Sequence, residues 1–135
     1  MTNALYDKAR ESFLKGELSW SNDTIKCALV DLDDYTPDLA NDQFLSEIPS
    51  GAIVAVSQAL SNKTTVAGVA DADDALLSAV AGDTCEAIVL FQDTGTPSTS
   101  KLIGLIDTAA GLPIEPNGGD LTVVWDAGAN KIFKL

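Results

Sequence analysis

The sequence predicts a mainly β fold, an antiparallel β-sandwich or barrel of jelly-roll type carrying one short N-terminal helix. Three observations predict it. Short segments rich in Val, Ile, Leu and Phe recur about 8–15 residues apart, the spacing of sandwiches and barrels. Gly- and Pro-containing turns separate them. Only one segment has helical periodicity, so βαβ units are not expected.

That segment opens the chain. Ala4, Leu5, Ala9, Phe13 and Leu14 fall roughly on one helical face, with Asp7, Lys8, Arg10 and Glu11 opposite. Asn3 is the expected N-cap and Gly16 the stop. So short a helix is marginal alone and must dock on something.

Strands follow. Ser19 to Asp23 is a turn. Thr24 to Asp31 alternates, with Ile25, Cys27 and Leu29 on one face and Lys26 on the other. Asp31 to Asn41 reads as a polar loop. Phe44, Leu45 and Ile48 predict one helical turn before Pro49. Strands are then expected at Ala52–Ala59, Thr64–Val69, Leu76–Val80, Cys85–Gln92, Lys101–Thr108, Leu121–Asp126 and Lys131–Leu135. The segment Trp125 to Phe133, with Gly128 in its middle, reads as a closing hairpin. Residues 1–135 are expected to form a single β domain, with 1–16 as the N-terminal helix and 19–135 as the β core. That length suffices to bury a core without a metal or disulfide staple.

Two strands are apolar on both faces. Ala87, Val89 and Phe91 oppose Ile88 and Leu90, and Leu102 and Ile106 oppose Ile103 and Leu105. A half-solvated antiparallel strand would alternate. Something must cover both faces: either the helix, a second sheet and loops, or another subunit. Leu5, Tyr6, Phe13, Ile88, Leu90, Leu102 and Ile106 are therefore the candidate interface residues. On that argument the chain is expected to self-associate, most simply as a homotrimer.

Composition excludes much chemistry. There is no histidine. The usual general base is missing, as are Ser-His-Asp triads and His-containing zinc sites. The cysteines, Cys27 and Cys85, have no CxxC spacing and read as small core residues. The clusters Asp31-Leu32-Asp33-Asp34 and Asp71-Ala72-Asp73-Asp74 lack the central Gly and terminal Glu of a calcium loop. No phosphate-binding glycine motif occurs. The expectation is no catalytic site, no cofactor and no metal. The 20 acidic residues outnumber the 8 basic ones for a net charge of −12. That field repels nucleic acid and anionic lipid, so neither is an expected partner, and no small-molecule substrate is expected either. Trp20, Tyr35 and Trp125 are the aromatic candidates for a sugar platform, with core packing as the competing reading. The N-terminal residues show no apolar signal-peptide core, which predicts synthesis and folding in a cytoplasm.

Several segments, taken in order, resemble a known family. They are Asn3-Ala4-Leu5-Tyr6-Asp7-Lys8-Ala9-Arg10, then Trp20, then Ile25-Lys26-Cys27-Ala28-Leu29-Val30-Asp31, then Phe44-Leu45-Ser46-Glu47-Ile48-Pro49. Leu112-Pro113-Ile114-Glu115-Pro116-Asn117-Gly118-Gly119-Asp120, Trp125-Asp126 and Lys131-Ile132-Phe133 complete the pattern. It is similar to a family of small structural proteins encoded by tailed bacteriophages. The resemblance covers nearly the whole chain but contains no catalytic motif. It implies a virion protein, most simply a capsid decoration or cement protein on the outer shell with a major capsid protein as partner. A neck, tail or fibre-associated protein is the alternative. A free-standing carbohydrate- or protein-binding module is the rival outside the virion.

Overall fold

The helix starts later than its periodicity predicts. In the computed structural model, which describes residues 3–109, 111–125 and 131–134, Ala4–Leu5 form a short strand, β1. The helix α1 spans Asp7–Lys15. Asn3 is not its cap. Its Oδ1 accepts the N–H groups of Asp107 and Thr108, both at 2.9 Å, and its Nδ2 donates to the Thr108 carbonyl at 2.9 Å. The reason is tertiary. Ala4 pairs with Leu105 and Leu5 with Gly104, which holds these residues extended. Gly16 ends the helix as expected, in the left-handed conformation at φ 75°. Leu14, expected on the packed face, points into solvent at 89% exposure.

The strands are β2 (Ile25–Val30), β3 (Ile53–Val56), β4 (Val69–Ala70), β5 (Ala75–Leu77), β6 (Ala87–Gln92), β7 (Leu102–Ile106), β8 (Leu121–Val123) and β9 (Phe133–Lys134). Single 3-10 turns occupy Leu45–Glu47, Ser50–Ala52 and Val66–Gly68. The first is the turn expected before Pro49. The fold is mainly β with one helix and antiparallel pairing throughout. Five strands form a sheet in the order β1-β7-β6-β2-β3, and two-stranded ladders join β4 to β9 and β5 to β8.

β6 and β2 form the centre of the sheet. Six residue pairs join them, from Ile25 opposite Gln92 to Val30 opposite Ala87. Apart from Lys26 and Gln92 at one end of the ladder, both strands are β-branched or apolar, as a central strand covered on both faces should be.

The small ladders use chain that lies far apart in sequence. Leu77 faces Leu121 and Ala75 faces Val123, while Ala70 faces Phe133. The segments after Leu121 and before Lys134 therefore both pair with 69–77. They do not pair with each other as the arms of the expected closing hairpin. Its turn, 126–130, lies outside the described residues. The segment 69–77 already presents a backbone edge in the right direction, and that non-local pairing overrides the local turn pattern.

Aromatic contacts attach β9 to the helix. The Phe133 ring meets Trp20 edge-on at 5.3 Å between centroids and Phe13 at 6.1 Å. Below the helix, the Tyr6 and Tyr35 hydroxyls share a hydrogen bond of 2.9 Å, and the Tyr35 hydroxyl donates to Asp42 Oδ2 at 2.7 Å. Asp42 Oδ2 also accepts the Asp38 N–H. This chain of polar groups fastens the 35–42 loop to the start of the helix. Cys27 and Cys85 are both buried free thiols.

Candidate functional site

β6 and its neighbours leave one part of their outer face under a cleft. Leu29 of β2, Ile88 of β6 and Ile106 of β7 lie at its base. Leu29 is opposite Ile88, and Ile88 is opposite Ile106, so the three share one face of the sheet. Two segments, 111–115 and 121–125, form the walls, with Asn3, Lys131 and Ile132 also at the rim. The volume is about 820 Å³.

Several of the polar side chains around this cleft are already engaged, while Glu115 and Thr122 also line it. Asn3 is bound to 107–108. The indole N–H of Trp125 donates to the Asp73 carbonyl at 3.0 Å. Lys131 forms an ion pair with Asp71 at 3.5 Å. The base is aliphatic. A pocket built to orient a polar substrate would aim free polar groups inward, whereas this one offers apolar area and backbone.

The sequence-predicted interface residues separate into two groups. Leu5, Tyr6, Leu90 and Leu102 are buried inside the chain's own fold, Tyr6 completely. These four belong to the chain's own core, where β1 pairs along the edge of β7 and α1 packs on β7. The argument for a trimer from two-faced strands then rests on Ile88 and Ile106. Ile88 and Ile106 lie instead at the base of the cleft, and Phe13 is half-buried against Phe133. Sequence reasoning missed the walls, because 111–115 and 121–125 carry ordinary turn and strand signals. Only tertiary pairing places them together.

A second group of side chains gathers around Asp31. Asp31, Asp34 and Asp83 bring carboxylate oxygens within 4.8 Å of one another, as do Asp31, Asp33 and Glu86. Sequence spacing alone did not reveal this, because Asp83 and Glu86 come from the segment that leads into β6, some fifty residues further along the chain. Such an all-oxygen set has the donor chemistry of a hard cation such as calcium. Asp31 is buried, and its Oδ1 accepts the Asp33 N–H at 2.9 Å. Glu86 Oε1 accepts the Leu32 N–H at 2.8 Å. Partial burial raises the Glu86 carboxyl above its ordinary value. The Leu32 N–H opposes that shift, while the bond to Asp31 and the charges of Asp31 and Asp33 add to it. Burial, followed by the charges of Glu86, Asp31 and Asp83, pushes the Cys85 thiol up to about 11.

The Glu86 shift has a defined sign. A carboxyl raised in the folded state binds its proton more tightly there than in the unfolded chain. Its stabilising contribution is present below the unfolded value of about 4.3 and is lost as pH rises through the higher folded value. Glu86→Gln keeps an acceptor for Leu32 and removes the titration. Urea midpoints at pH 5 and pH 7 are expected to differ between wild type and variant, with the variant gaining at pH 7 relative to pH 5. The gain should stay below about 1 kcal/mol, the size of exposed charge effects. Equal pH dependence in the two proteins would refute this.

Trp20 and Trp125 are buried, and their indole N–H groups donate to the Asp71 and Asp73 carbonyls. Tyr35 is buried as well. None presents an exposed ring for stacking on a sugar. No described helix is long and apolar enough to cross a membrane. No protein-family model matches the chain, and no curated protein matches it.

Proposed function

We propose that this protein is a non-catalytic structural component of a tailed-phage virion, a decoration protein that coats the outer capsid and bridges neighbouring shell subunits. The observation that carries the docking part is the cleft over Leu29, Ile88 and Ile106. It is large and apolar at its base, and several of its polar side chains are spent on internal bonds. Such a surface suits a protein segment better than a substrate. The virion part is supported by the resemblance to phage structural proteins, and the non-catalytic part by the lack of histidine. The buried tryptophans count against the carbohydrate-binding alternative.

Bridging works by multivalency. Each contact can be weak, because a second contact on the same particle forms at high effective concentration. Contacts present only in the closed shell must be lost before it opens, so they delay its rupture. The charge of −12 keeps a coated particle soluble.

The test is electron cryomicroscopy of purified virions with copy counting by mass spectrometry. Density for this chain across the capsid lattice in high copy number is the expected result. A few copies confined to the neck, tail or baseplate would reject the decoration role and keep a virion role. Absence from virions would reject both.

A further inference from the structure

β8 has one paired edge and one open one. The Leu76 carbonyl accepts the Gln58 N–H at 3.3 Å and so turns away from β8. Leu76 faces Thr122. In an antiparallel ladder the direction of the backbone groups alternates. Leu121 and Val123 therefore bond to β5, and the N–H and C=O of Thr122 and Val124 point the other way. Both residues border the cleft, and Val124 is 72% exposed. Among the described residues, the backbone groups of Thr122 and Val124 have no hydrogen-bond partner.

The opposite wall has the same character. Ile114 exchanges both of its backbone bonds with Cys85, at 2.8 Å each. The Pro113 carbonyl and Glu115 N–H therefore turn away from Cys85. Open strand edges are normally blunted by Lys, Pro or a bulge. Leu121-Thr122-Val123-Val124-Trp125 contains neither residue, and β8 runs in unbroken register.

We propose that the cleft receives an extended strand from a partner protein, paired antiparallel or parallel along the open edge of β8. The strand would carry apolar residues at alternate positions, to meet Leu29, Ile88 and Ile106, and basic residues at its ends. This rests on the docking reading above and specifies how the partner binds. Backbone pairing supplies affinity and the alternate side chains supply selectivity. Charge identifies the partner. Glu115 lies in one wall, Asp120 precedes β8, and Lys131, the one cation at the rim among the described residues, is paired with Asp71. A second copy would bring −12 against −12. A strand with basic ends is instead attracted.

The probe is a synthetic peptide of alternating valine and threonine with lysines at both ends, titrated into the isotopically labelled full chain. Amide exchange at Thr122 and Val124 is expected to slow on binding. Proline in place of the central valine should weaken binding about ten-fold or more, since it removes a ladder donor. Glutamates in place of the lysines should weaken it, and so should added salt. Thr122→Pro should abolish binding while keeping the fold, because the Thr122 N–H takes no part in the β5 ladder. Should that variant fail to fold, the proline peptide carries the comparison alone.

Unchanged exchange at Thr122 and Val124 at millimolar peptide would overturn the proposal, as would equal binding of the proline peptide. Equal binding of the glutamate peptide would overturn the basic ends. Concentration-dependent protection of the same amides without peptide would assign the edge to a second copy. Peptide binding by a protein absent from virions would leave the strand site and reject the decoration role. The converse result would do the opposite.

Discussion

Replacing Phe91 by alanine is expected to destabilise the fold by about 3–5 kcal/mol, the cost of deleting a large buried side chain and leaving a cavity. Phe91 lies in β6 between Lys26 of β2 and Leu102 of β7, and it is almost fully buried. Strands pair with it on both sides, with a register shift between Leu90 and Phe91 on the β7 side, and they limit collapse of the space. A domain with a total stability of about 5–15 kcal/mol would lose a third or more of it. Urea unfolding followed by tryptophan emission measures this as a lower midpoint at unchanged slope. Val124→Thr, at an exposed edge position, should change stability by no more than about 0.5 kcal/mol. A loss below about 1.5 kcal/mol for Phe91→Ala would mean that β6 is not the centre of the core.

The second large effect is an alkaline one. The chain has two tyrosines, Tyr6 and Tyr35, and both belong to the buried hydroxyl chain that ends at Asp42. Burial pushes Tyr6 up to about 12. The Tyr35 hydrogen bond opposes that shift, while the charges of Asp42 and Glu47 add to it. Burial, followed by the bonds to Tyr6 and Asp42, raises Tyr35 still further. A group raised in the folded state stabilises the fold below its unfolded value, and that stability is lost as pH climbs toward the folded value. The unfolded value is about 10. Stability should therefore fall steeply from about pH 10 upward. Absorbance near 295 nm reads both phenols and nothing else that titrates there. It should stay flat through pH 10 and then rise together with the loss of β-sheet circular dichroism. A smooth titration centred on pH 10 in a folded protein would contradict the buried network.

Tyr35→Phe tests the same network at neutral pH. It leaves the Tyr6 hydroxyl buried without its partner, a loss of about 1–3 kcal/mol. The double variant Tyr6→Phe, Tyr35→Phe should cost less than the sum of the two single changes, because no donor is then orphaned.

The strands at the centre of the sheet were legible because their signal is local. Ile88, Val89, Leu90 and Phe91 in a row, flanked by turns, admit a buried strand. The run Leu102, Ile103, Leu105, Ile106 does the same. Gly16 as a helix stop and the turn before Pro49 were legible for the same reason. The rest depends on partners distant in sequence. Ala4 and Leu5 have helical neighbours and become a strand only because Leu105 and Gly104 are beside them. Phe133 was expected to pair across a hairpin with the strand at Leu121, but it pairs with Ala70. The cleft and the Asp31 cluster likewise join segments that no local pattern connects. What covers the second apolar face was open in the sequence between the chain itself and another subunit. Leu90 and Leu102 are covered by the chain itself, while Ile88 and Ile106 lie under the cleft.

The pairing of β1 with β7 also governs the order of events during synthesis. Ala4 must find Leu105, and β1 is an edge of the finished sheet. While the ribosome is still making β2 and β3, the first strand has no partner, and the helix behind it lacks the β7 surface it packs against. A chain released before β6 would hold β2 open along the side that β6 should occupy, and one released between β6 and β7 would hold β6 open along the side that β7 should occupy. Closing so long a loop is slow, and unpaired central strands attract one another. Truncation anywhere before residue 107 should therefore yield aggregates instead of a smaller folded core, and a nascent chain should acquire protease resistance only once β7 has left the exit tunnel.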